Sequence, residues 1–328
     1  MASAISVKNL RKIFTHYKKV PGLLGALKGL FKREEVSVEA VSGINFEIQE
    51  GEFVGFVGPN GAGKTTTLKI LSGILYPTSG SARVLSFEPF RRQVDFQKQF
   101  SLVMGQKNQL WWDLPARDTF ELNKAIYEIP DEKYEQNLSA LSQLLRIEDL
   151  LDVQVRKLSL GQRMKCELIA ALLHDPKILF LDEPTIGLDV ISQEAIRDFL
   201  REYNRAKKAT IILTSHYMED IKRLCNRVMI IDHGHLVYDG SYKDLTEKFA
   251  DTKTIEMAFG EEVLKDRLRP FGEVTDYRGY SARLIVPRND IARITTELLQ
   301  KFPIDDISIH EETMEEIVRS IFEGKKVF

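Results

Sequence analysis

The feature that most constrains the fold of this 328-residue chain is the string from Gly58 to Thr65, which reads GPNGAGKT. It fits the pattern G-x-x-x-x-G-K-[ST], whose glycines let successive backbone N–H groups curl around the phosphates of a nucleotide. The apolar run at 53–57 predicts a buried strand before the loop, and residues 65–75 predict a helix after it. The phosphates would therefore meet a helix N-terminus. The sequence predicts an α/β fold organised around this P-loop.

The P-loop assigns roles to its last residues. Lys64 would neutralise phosphate charge, and the Thr65 hydroxyl would bind Mg²⁺. The predicted phosphate-binding residues are Gly58, Pro59, Asn60, Gly61, Ala62, Gly63, Lys64, Thr65 and Thr66. The loop by itself leaves kinases, GTPases and many ATPases open.

A second apolar run ends in two adjacent acids, since residues 178–183 read ILFLDE. Asp182 is suited to hold the Mg²⁺ shell, and Glu183 is suited to polarise an attacking water. Two adjacent acids on a surface loop would carry little information. At the end of a buried parallel strand they lie at the same sheet edge as the P-loop. We therefore predict that both are functional.

Six motifs follow one another along the chain. They are the P-loop, Gln106, the signature Leu158–Gln162, the strand ending at Glu183, the loop Gly187–Asp189, and His216 in the tripeptide TSH. In this order they resemble the ATP-binding subunit of an ATP-binding cassette (ABC) transporter, over residues 3–250. Two signature features depart mildly from the commonest form. Leu160 stands where a second small polar residue is frequent, and Gln162-Arg163-Met164 replaces the usual glutamine pair.

The resemblance implies a fold and a shared active site. The fold class is α/β: a P-loop NTPase of the ABC type, with a mixed-sheet core and a helical subdomain at about 107–165. Within that subdomain the sequence predicts helices at about 118–127, 131–145 and 148–151. Two ATPase subunits, in a homodimer or a heterodimer, would associate head to tail, each ATP lying between the P-loop of one and the signature of the other. The signature residues that would reach the partner's ATP are Ser159, Leu160, Gly161 and Gln162. Ser159 is also suited to be an ordinary helix N-cap, and the two roles are compatible.

The resemblance also assigns catalytic and metal-binding roles. Gln106 is implied as a catalytic residue and, with Thr65 and Asp182, as a ligand of Mg²⁺. His216 would contact the γ-phosphate and hold the water and Glu183 in register. Asp189 is the D-loop aspartate. The implied cofactors are ATP and Mg²⁺.

Aromatic residues mark two further contacts. In the family an aromatic residue after the first strand stacks on adenine; Phe14 follows the predicted strand at 7–13, and Tyr17 is its competitor. In the family the loop after the glutamine that matches Gln106 lines the groove that receives a short cytoplasmic helix of the membrane subunit, which makes Trp111 and Trp112 candidate permease contacts. Because neighbours on an extended chain point opposite ways, one tryptophan is expected in the core and one at the surface. The alternative places both in the core.

An inserted segment at about 17–36 separates the adenine aromatic from the next strand. Its apolar residues fall at helical spacing beside several basic residues, which predicts a basic amphipathic helix weakened by glycines. The apolar set is Leu23, Leu24, Leu27, Leu30 and Phe31. Three interpretations remain open: docking on the domain's own core, contact with the membrane subunit near the lipid surface, or contact with an unrelated partner.

The pattern changes after residue 249, which predicts domains at 1–249 and 250–328. Strands at 254–259, 274–277, 282–286 and 306–309 alternate with helices at 261–268, 290–300 and 313–322. The order β-α-β-β-α-β with a final helix predicts a small ferredoxin-like domain. We expect it to serve dimerisation or regulation.

Composition limits the partners and the cellular location expected for this chain. With 46 basic and 48 acidic residues the chain has no global field that favours nucleic acid. The two cysteines, Cys166 and Cys225, belong to no metal-spacing pattern, which suits a reducing cytoplasm. No apolar run is long enough to span a bilayer, so the pore is expected in other chains. The predicted location is peripheral, on the cytoplasmic face of the cell membrane.

These observations predict an ATPase that couples dimer closure to transport through separate permease subunits. The segment Trp111–Pro115 and the insertion before it resemble a drug- or sodium-exporter-like subgroup of ABC-2 type cassettes, which favours export. The alternatives are an ABC importer and a soluble ABC ATPase without a transport role. The transported substrate cannot be read from the ATPase.

Overall fold

The computed structural model of the protein describes residues 3–17, 35–105, 107–248, 252–311 and 314–322. The chain divides into two compact units, residues 1–239 and residues 240–328. The predicted helix of the insertion lies outside the described residues, as does Gln106. Within the described ranges no helix has the length and apolar character needed to cross a membrane.

The first unit begins with three successive strands and continues with both strands and helices. Its strands are β1 (Ser3–Tyr17), β2 (Glu35–Gln49), β3 (Phe53–Val57), β4 (Ser79–Val84), β5 (Phe100–Met104), β6 (Ile178–Asp182), β7 (Thr210–Thr214), β8 (Arg227–Asp232) and β9 (His235–Ser241). Its helices are α1 (Lys64–Leu71), α2 (Val94–Gln97), α3 (Ala116–Ile126), α4 (Asp131–Leu145), α5 (Leu160–Leu172), α6 (Val190–Lys207) and α7 (Met218–Leu224).

The central sheet has six strands in the order β5-β6-β7-β3-β8-β9. Its first five strands are parallel, so their carboxyl ends share one edge. Strands β3, β6 and β7 are buried at every position, as their unbroken apolar sequences require for a sheet covered on both faces. The predicted strand at 53–57 is confirmed. The P-loop and the two acids consequently lie at the same edge.

A second, antiparallel sheet has the order β2-β1-β4. Residues from its inner face, including Ile5 and Phe46, share one hydrophobic core with Phe56 and Phe180 of the central sheet and with Leu68 of α1. The P-loop helix is therefore packed into the core of the unit. Two sheets of different strand direction confirm the mixed-sheet fold class.

The helical subdomain lies between β5 and β6 and contains α3, α4 and α5. The predicted helix at 131–145 is confirmed. The predicted helix at 148–151 is instead a single 3₁₀ turn at Glu148–Leu150. Side-chain amides tie the helices together, since Asn123 Nδ2 donates to the carbonyl of Ala170 and Asn137 Nδ2 donates to that of Leu173.

The second unit is a four-stranded antiparallel sheet with helices. Its elements are α8 (Tyr242–Lys248), β10 (Thr252–Phe259), α9 (Lys265–Leu268), β11 (Glu273–Tyr277), β12 (Ser281–Pro287), α10 (Ile291–Lys301), β13 (Ile304–Glu311) and α11 (Met314–Phe322). The strand order β11-β12-β10-β13 confirms the predicted ferredoxin-like arrangement. The first predicted helix is shorter than expected, because only its last turn is helical.

Candidate nucleotide site

Two glycines place the P-loop backbone against neighbouring strands. A Cβ atom on Gly63 would lie 2.3 Å from the carbonyl oxygen of Ala40, and Gly63 has a φ of 111°. A Cβ atom on Gly58 would lie 2.3 Å from the carbonyl oxygen of Ile231. Only glycine fits these positions. The loop is thus held in place by backbone packing.

Lys64 is buried at the start of α1. Its Nζ donates to the carbonyl oxygens of Gly58, at 2.6 Å, and Pro59, at 3.1 Å. Burial lowers the pKa of Lys64, and the nearby carboxylates of Glu183 and Asp182 oppose that shift. The loop's own carbonyls therefore hold the ammonium group beside the place where phosphates would bind.

Asp182 joins the P-loop helix to β7. Its Oδ2 accepts a hydrogen bond from Thr65 Oγ1 at 2.8 Å, and its Oδ1 accepts one from Thr214 Oγ1 at 2.7 Å. A threonine hydroxyl and a carboxylate are hard oxygen ligands, so this pair fits Mg²⁺ with phosphate and water completing the shell. Among the described residues no group of three or more His, Cys, Asp and Glu side chains could hold a metal.

Glu183 has a strained but well-supported backbone. Its φ is 56°, in the left-handed region, where a non-glycine residue is stabilised only by its surroundings. Its N–H donates to both the carbonyl oxygen and Oγ1 of Thr214, at 3.0 and 3.1 Å. A Cβ atom on Gly105 would lie 2.0 Å from the Glu183 carbonyl oxygen, so β5 must approach with a glycine. These contacts fix the turn in which the carboxylate begins.

The Glu183 carboxylate pairs with the predicted histidine. His216 Nε2 lies 2.8 Å from Glu183 Oε1. The glutamate side chain is largely buried, whereas the histidine side chain is about one-third exposed, at 36%. The arrangement joins the ends of β6 and β7 across the sheet edge, with the imidazole at the solvent side of the carboxylate.

A cleft of about 260 Å³ opens over these groups. It is lined by Asn60, Thr65, Met104, Gly105, Lys107, Asp182 and Glu183. Residues of the P-loop, Asp182 and Glu183 thus face one volume. Of the described residues, none from the signature lines this cleft.

The signature begins helix α5 with a capping box. Ser159 Oγ accepts from the N–H of Gln162 at 3.2 Å, and Gln162 Oε1 accepts from the N–H of Ser159 at 2.9 Å. The predicted N-cap is confirmed. A hydroxyl that accepts in this way still carries a proton that it can donate.

The signature and the D-loop are packed together. A Cβ atom on Gly161 would lie 2.1 Å from Ser192 Oγ. Ser192 in turn donates through its N–H and its hydroxyl to Asp189, at 2.9 and 2.7 Å, so Asp189 caps α6. These hydrogen bonds lower the pKa of Asp189. The two motifs form one continuous surface.

A buried network behind His216 was not predicted. Asp220 is fully buried and accepts from Arg197 Nε, Thr185 Oγ1 and Ser215 Oγ, at 2.5, 2.5 and 2.6 Å. The Ser215 oxygen also accepts from the N–H of Tyr217, at 3.0 Å. The residues on both sides of His216 are therefore anchored. The sequence did contain one signal: Arg197 lies on the apolar face of α6, and a buried arginine requires a buried partner.

Two expectations about aromatic residues are wrong. Phe14 does not follow the first strand but lies within β1, where it is paired with Val38. It is 39% exposed, and Tyr17, the last residue of the strand, is 55% exposed. Trp111 and Trp112 are both half-exposed, at 51% and 50%, because the loop that carries them is not a regular extended strand.

Comparisons with known proteins agree with the geometry. A family model described as "ABC transporter" matches residues 41–186, and one described as "EvrA-like ABC transporter, C-terminal domain" matches residues 251–310. The chain is 31% identical to the ABC transporter ATP-binding protein NatA of Bacillus subtilis, over 66% of this chain and 88% of that protein. It is 34% identical to the Nod factor export ATP-binding protein I of Cupriavidus metallidurans, over 73% of this chain and 78% of that protein.

Solved structures share the fold. An ATP-binding subunit of an ABC transporter superposes with a TM-score of 0.62 at 24% identity, covering 75% of this chain and 93% of that one. The ATP-binding cassette MJ0796, in a dimeric post-hydrolysis state with ADP and Pi, superposes with a TM-score of 0.60 at 22% identity. The match covers 72% of this chain and 98% of that one. These structures show the shared fold, and the relatives above show that the chain belongs to the ABC transporter family as one of its ATP-binding subunits.

Proposed function

We propose that this subunit works as a head-to-tail dimer whose closure on ATP drives export through separate membrane permease subunits. One observation carries the proposal: P-loop residues, Asp182 and Glu183 line one cleft, and none of the signature residues 158–162 lines it. A second copy, turned head to tail, would bring its Ser159 and Gly161 to the open side of the cleft. The export direction is supported by the Nod factor export relatives.

The proposed chemistry assigns one task to each group. Lys64 neutralises phosphate charge, and Thr65 and Asp182 hold Mg²⁺, with Gln106 outside the described residues as the further ligand. The metal supplies charge stabilisation for the transferred phosphoryl group. Glu183 accepts the proton of the attacking water, and His216 holds the carboxylate through their 2.8 Å contact.

The adenine and the membrane partner occupy exposed aromatic surfaces in this proposal. Phe14 stacks on the base, with Tyr17 as the alternative, since both are exposed. Trp111 and Trp112, with Leu114 at 37% exposure, form an apolar patch that suits a short amphipathic helix of the permease. Binding there places the subunit on the cytoplasmic face of the membrane.

Complementation tests the shared site. Lys64→Ala inactivates the P-loop half, and Ser159→Glu places a negative charge where the signature meets phosphate. Each variant alone is expected to be inactive. In an equal mixture, half of the dimers are mixed and each of these has one intact site, so up to about a quarter of the activity returns. A mixture with no more ATPase activity than its separate components would refute the head-to-tail site.

The transport half of the proposal needs a membrane partner. Co-expression with a permease encoded beside this gene should yield a co-purifying complex that is lost in the Trp111→Ala, Trp112→Ala double variant. Loss of the complex without loss of basal ATPase activity is the expected result. A complex that survives the double variant would place the permease contact elsewhere.

A further inference from the structure

Helix α5 carries a buried carboxylate that the nucleotide chemistry does not use. Glu167 is 2% exposed. Its Oε1 accepts from the backbone N–H groups of Gln109 and Leu110, at 2.9 and 3.2 Å, and its Oε2 accepts from that of Gln109 at 3.1 Å. The glutamate therefore bonds directly to the segment that leads into the two tryptophans.

One turn earlier on the same helix, a second side chain reaches the same segment. The guanidinium of Arg163 lies over the ring of Trp112, 5.0 Å from its centroid. The carbonyl oxygen of Trp112 accepts from the N–H of Arg156, at 3.0 Å, in the turn just before the signature. Positions i and i+4 of α5 thus contact both ends of the segment 109–112.

These contacts are costly to replace. Leu110 is buried, so its N–H would be left without a partner if the carboxylate were removed. Burial raises the pKa of Glu167, against the opposing effects of the two N–H groups and Arg163. The amide oxygen of a glutamine could accept from both N–H groups without that desolvation cost, but the bonds would lose their charge assistance. The carboxylate gives stronger, charge-assisted bonds to a loop whose outer face is exposed and apolar.

The same helix begins at the signature. Ser159 caps α5, and Glu167 lies eight residues later, which is about 12 Å along a continuous helix. A displacement of the capped end therefore moves Glu167 and Arg163 with it. Asn123, which donates to the Ala170 carbonyl, attaches α3 to the same helix nearer its C-terminal end.

We propose that Glu167 and Arg163 are positioning residues that fix the tryptophan loop, residues 109–112, to the signature helix. They deliver the movement of the signature on ATP-driven closure to Trp111 and Trp112. This inference rests on the proposed head-to-tail dimer and deepens it, since it names the link between nucleotide closure and the partner surface.

The chain offers a built-in probe, because its only two tryptophans are in this loop. Intrinsic tryptophan fluorescence of the full-length protein therefore reports on the loop alone. In a Glu183→Gln background, which slows hydrolysis, Mg²⁺ and ATP should produce a dimer by light scattering and a shift in tryptophan emission. Adding Glu167→Gln weakens the bonds to the loop and should diminish the shift, while dimer formation and ATP affinity stay unchanged.

A second variant and a control keep the test decisive. Arg163→Met removes the contact with Trp112 at a less buried position, and it should also diminish the ATP-induced shift. Glu135→Gln, an exposed glutamate on α4, should leave the shift intact. An equal shift in all variants overturns the inference, as does a Glu183→Gln dimer without any shift. Failure of Glu183→Gln to dimerise refutes the proposed head-to-tail dimer itself, and with it the proposed role of Glu167 and Arg163.

Discussion

The buried ion pair behind His216 gives the sharpest prediction about stability. Asp220 is 0% exposed and the Arg197 side chain is 6% exposed, and the carboxylate accepts hydrogen bonds from three different side chains. In Asp220→Asn the guanidinium stays buried without a countercharge. Breaking a buried pair in this way costs about 3–5 kcal/mol of the free energy of unfolding. Because Asn can still accept one of the bonds, we expect the lower value, about 3 kcal/mol.

Scanning calorimetry measures this change as a fall in the melting temperature of the unit spanning residues 1–239. For a domain of this size about 3 kcal/mol corresponds to a fall of about 6–12 °C. The matched control is Asp198→Asn on α6, the helix that carries Arg197, where the carboxylate and its partner Arg201 are both exposed. That pair is worth about 0–1 kcal/mol, so the control should melt close to the parent.

A double variant separates folding from function. Arg197→Met with Asp220→Leu replaces the pair by apolar side chains and should recover much of the lost stability. It leaves Ser215 without its acceptor, so His216 loses an anchored neighbour and turnover stays low. If Asp220→Asn melts within about 2 °C of the parent, the network does not support the fold as the geometry indicates.

Further predictions concern pH, close packing and the base. Burial lowers the pKa of His174 to about 4 from an ordinary 6.5, so its neutral form contributes stability above pH 6.5 that is lost as pH falls through about 4. Urea titrations should show a fall in the free energy of unfolding of up to about 3 kcal/mol in the parent protein and in the exposed control His235→Phe. His174→Phe keeps the stacking on Tyr127 and should not show this fall. Gly161→Ala should lower ATP turnover by about 10²-fold, because the added methyl group clashes with Ser192. Adding Ser192→Gly should restore part of the turnover. If turnover is not restored in the double variant, the clash is not the cause. Glu183→Gln should retain ATP binding and lose roughly 10²-fold or more in turnover, whereas parental turnover would show that another group is the base.

Patterns that are local in sequence predicted structure well. The strand at 53–57 and the helix at 131–145 were found with their observed bounds, because an unbroken apolar run and a clear helical period each leave one solution. The capping box of α5 is likewise visible in four consecutive residues. The site residues that carry these local signals were therefore accessible from the sequence.

Features that depend on residues far apart in the chain could not be predicted from the sequence. Arg197 and Asp220 lie 23 residues apart, and only packing of α6 against α7 shows that they meet. Phe14 was placed after a strand, yet β1 continues to Tyr17 because β2 pairs with it from beyond the insertion. Gly105 approaches the backbone of Glu183 closely, and the residues adjacent to either one in the sequence do not indicate this contact.

The cleft is lined without any signature residue, and this has a kinetic consequence. If each site needs two chains, a dilute subunit has no complete site, and its ATPase rate per chain rises with protein concentration until dimers saturate. A twofold interface of this kind creates two equivalent sites at once, so ATP at one favours the geometry of the other. Assembly on a membrane partner, which holds two subunits side by side, would then act as an activator by raising their effective concentration.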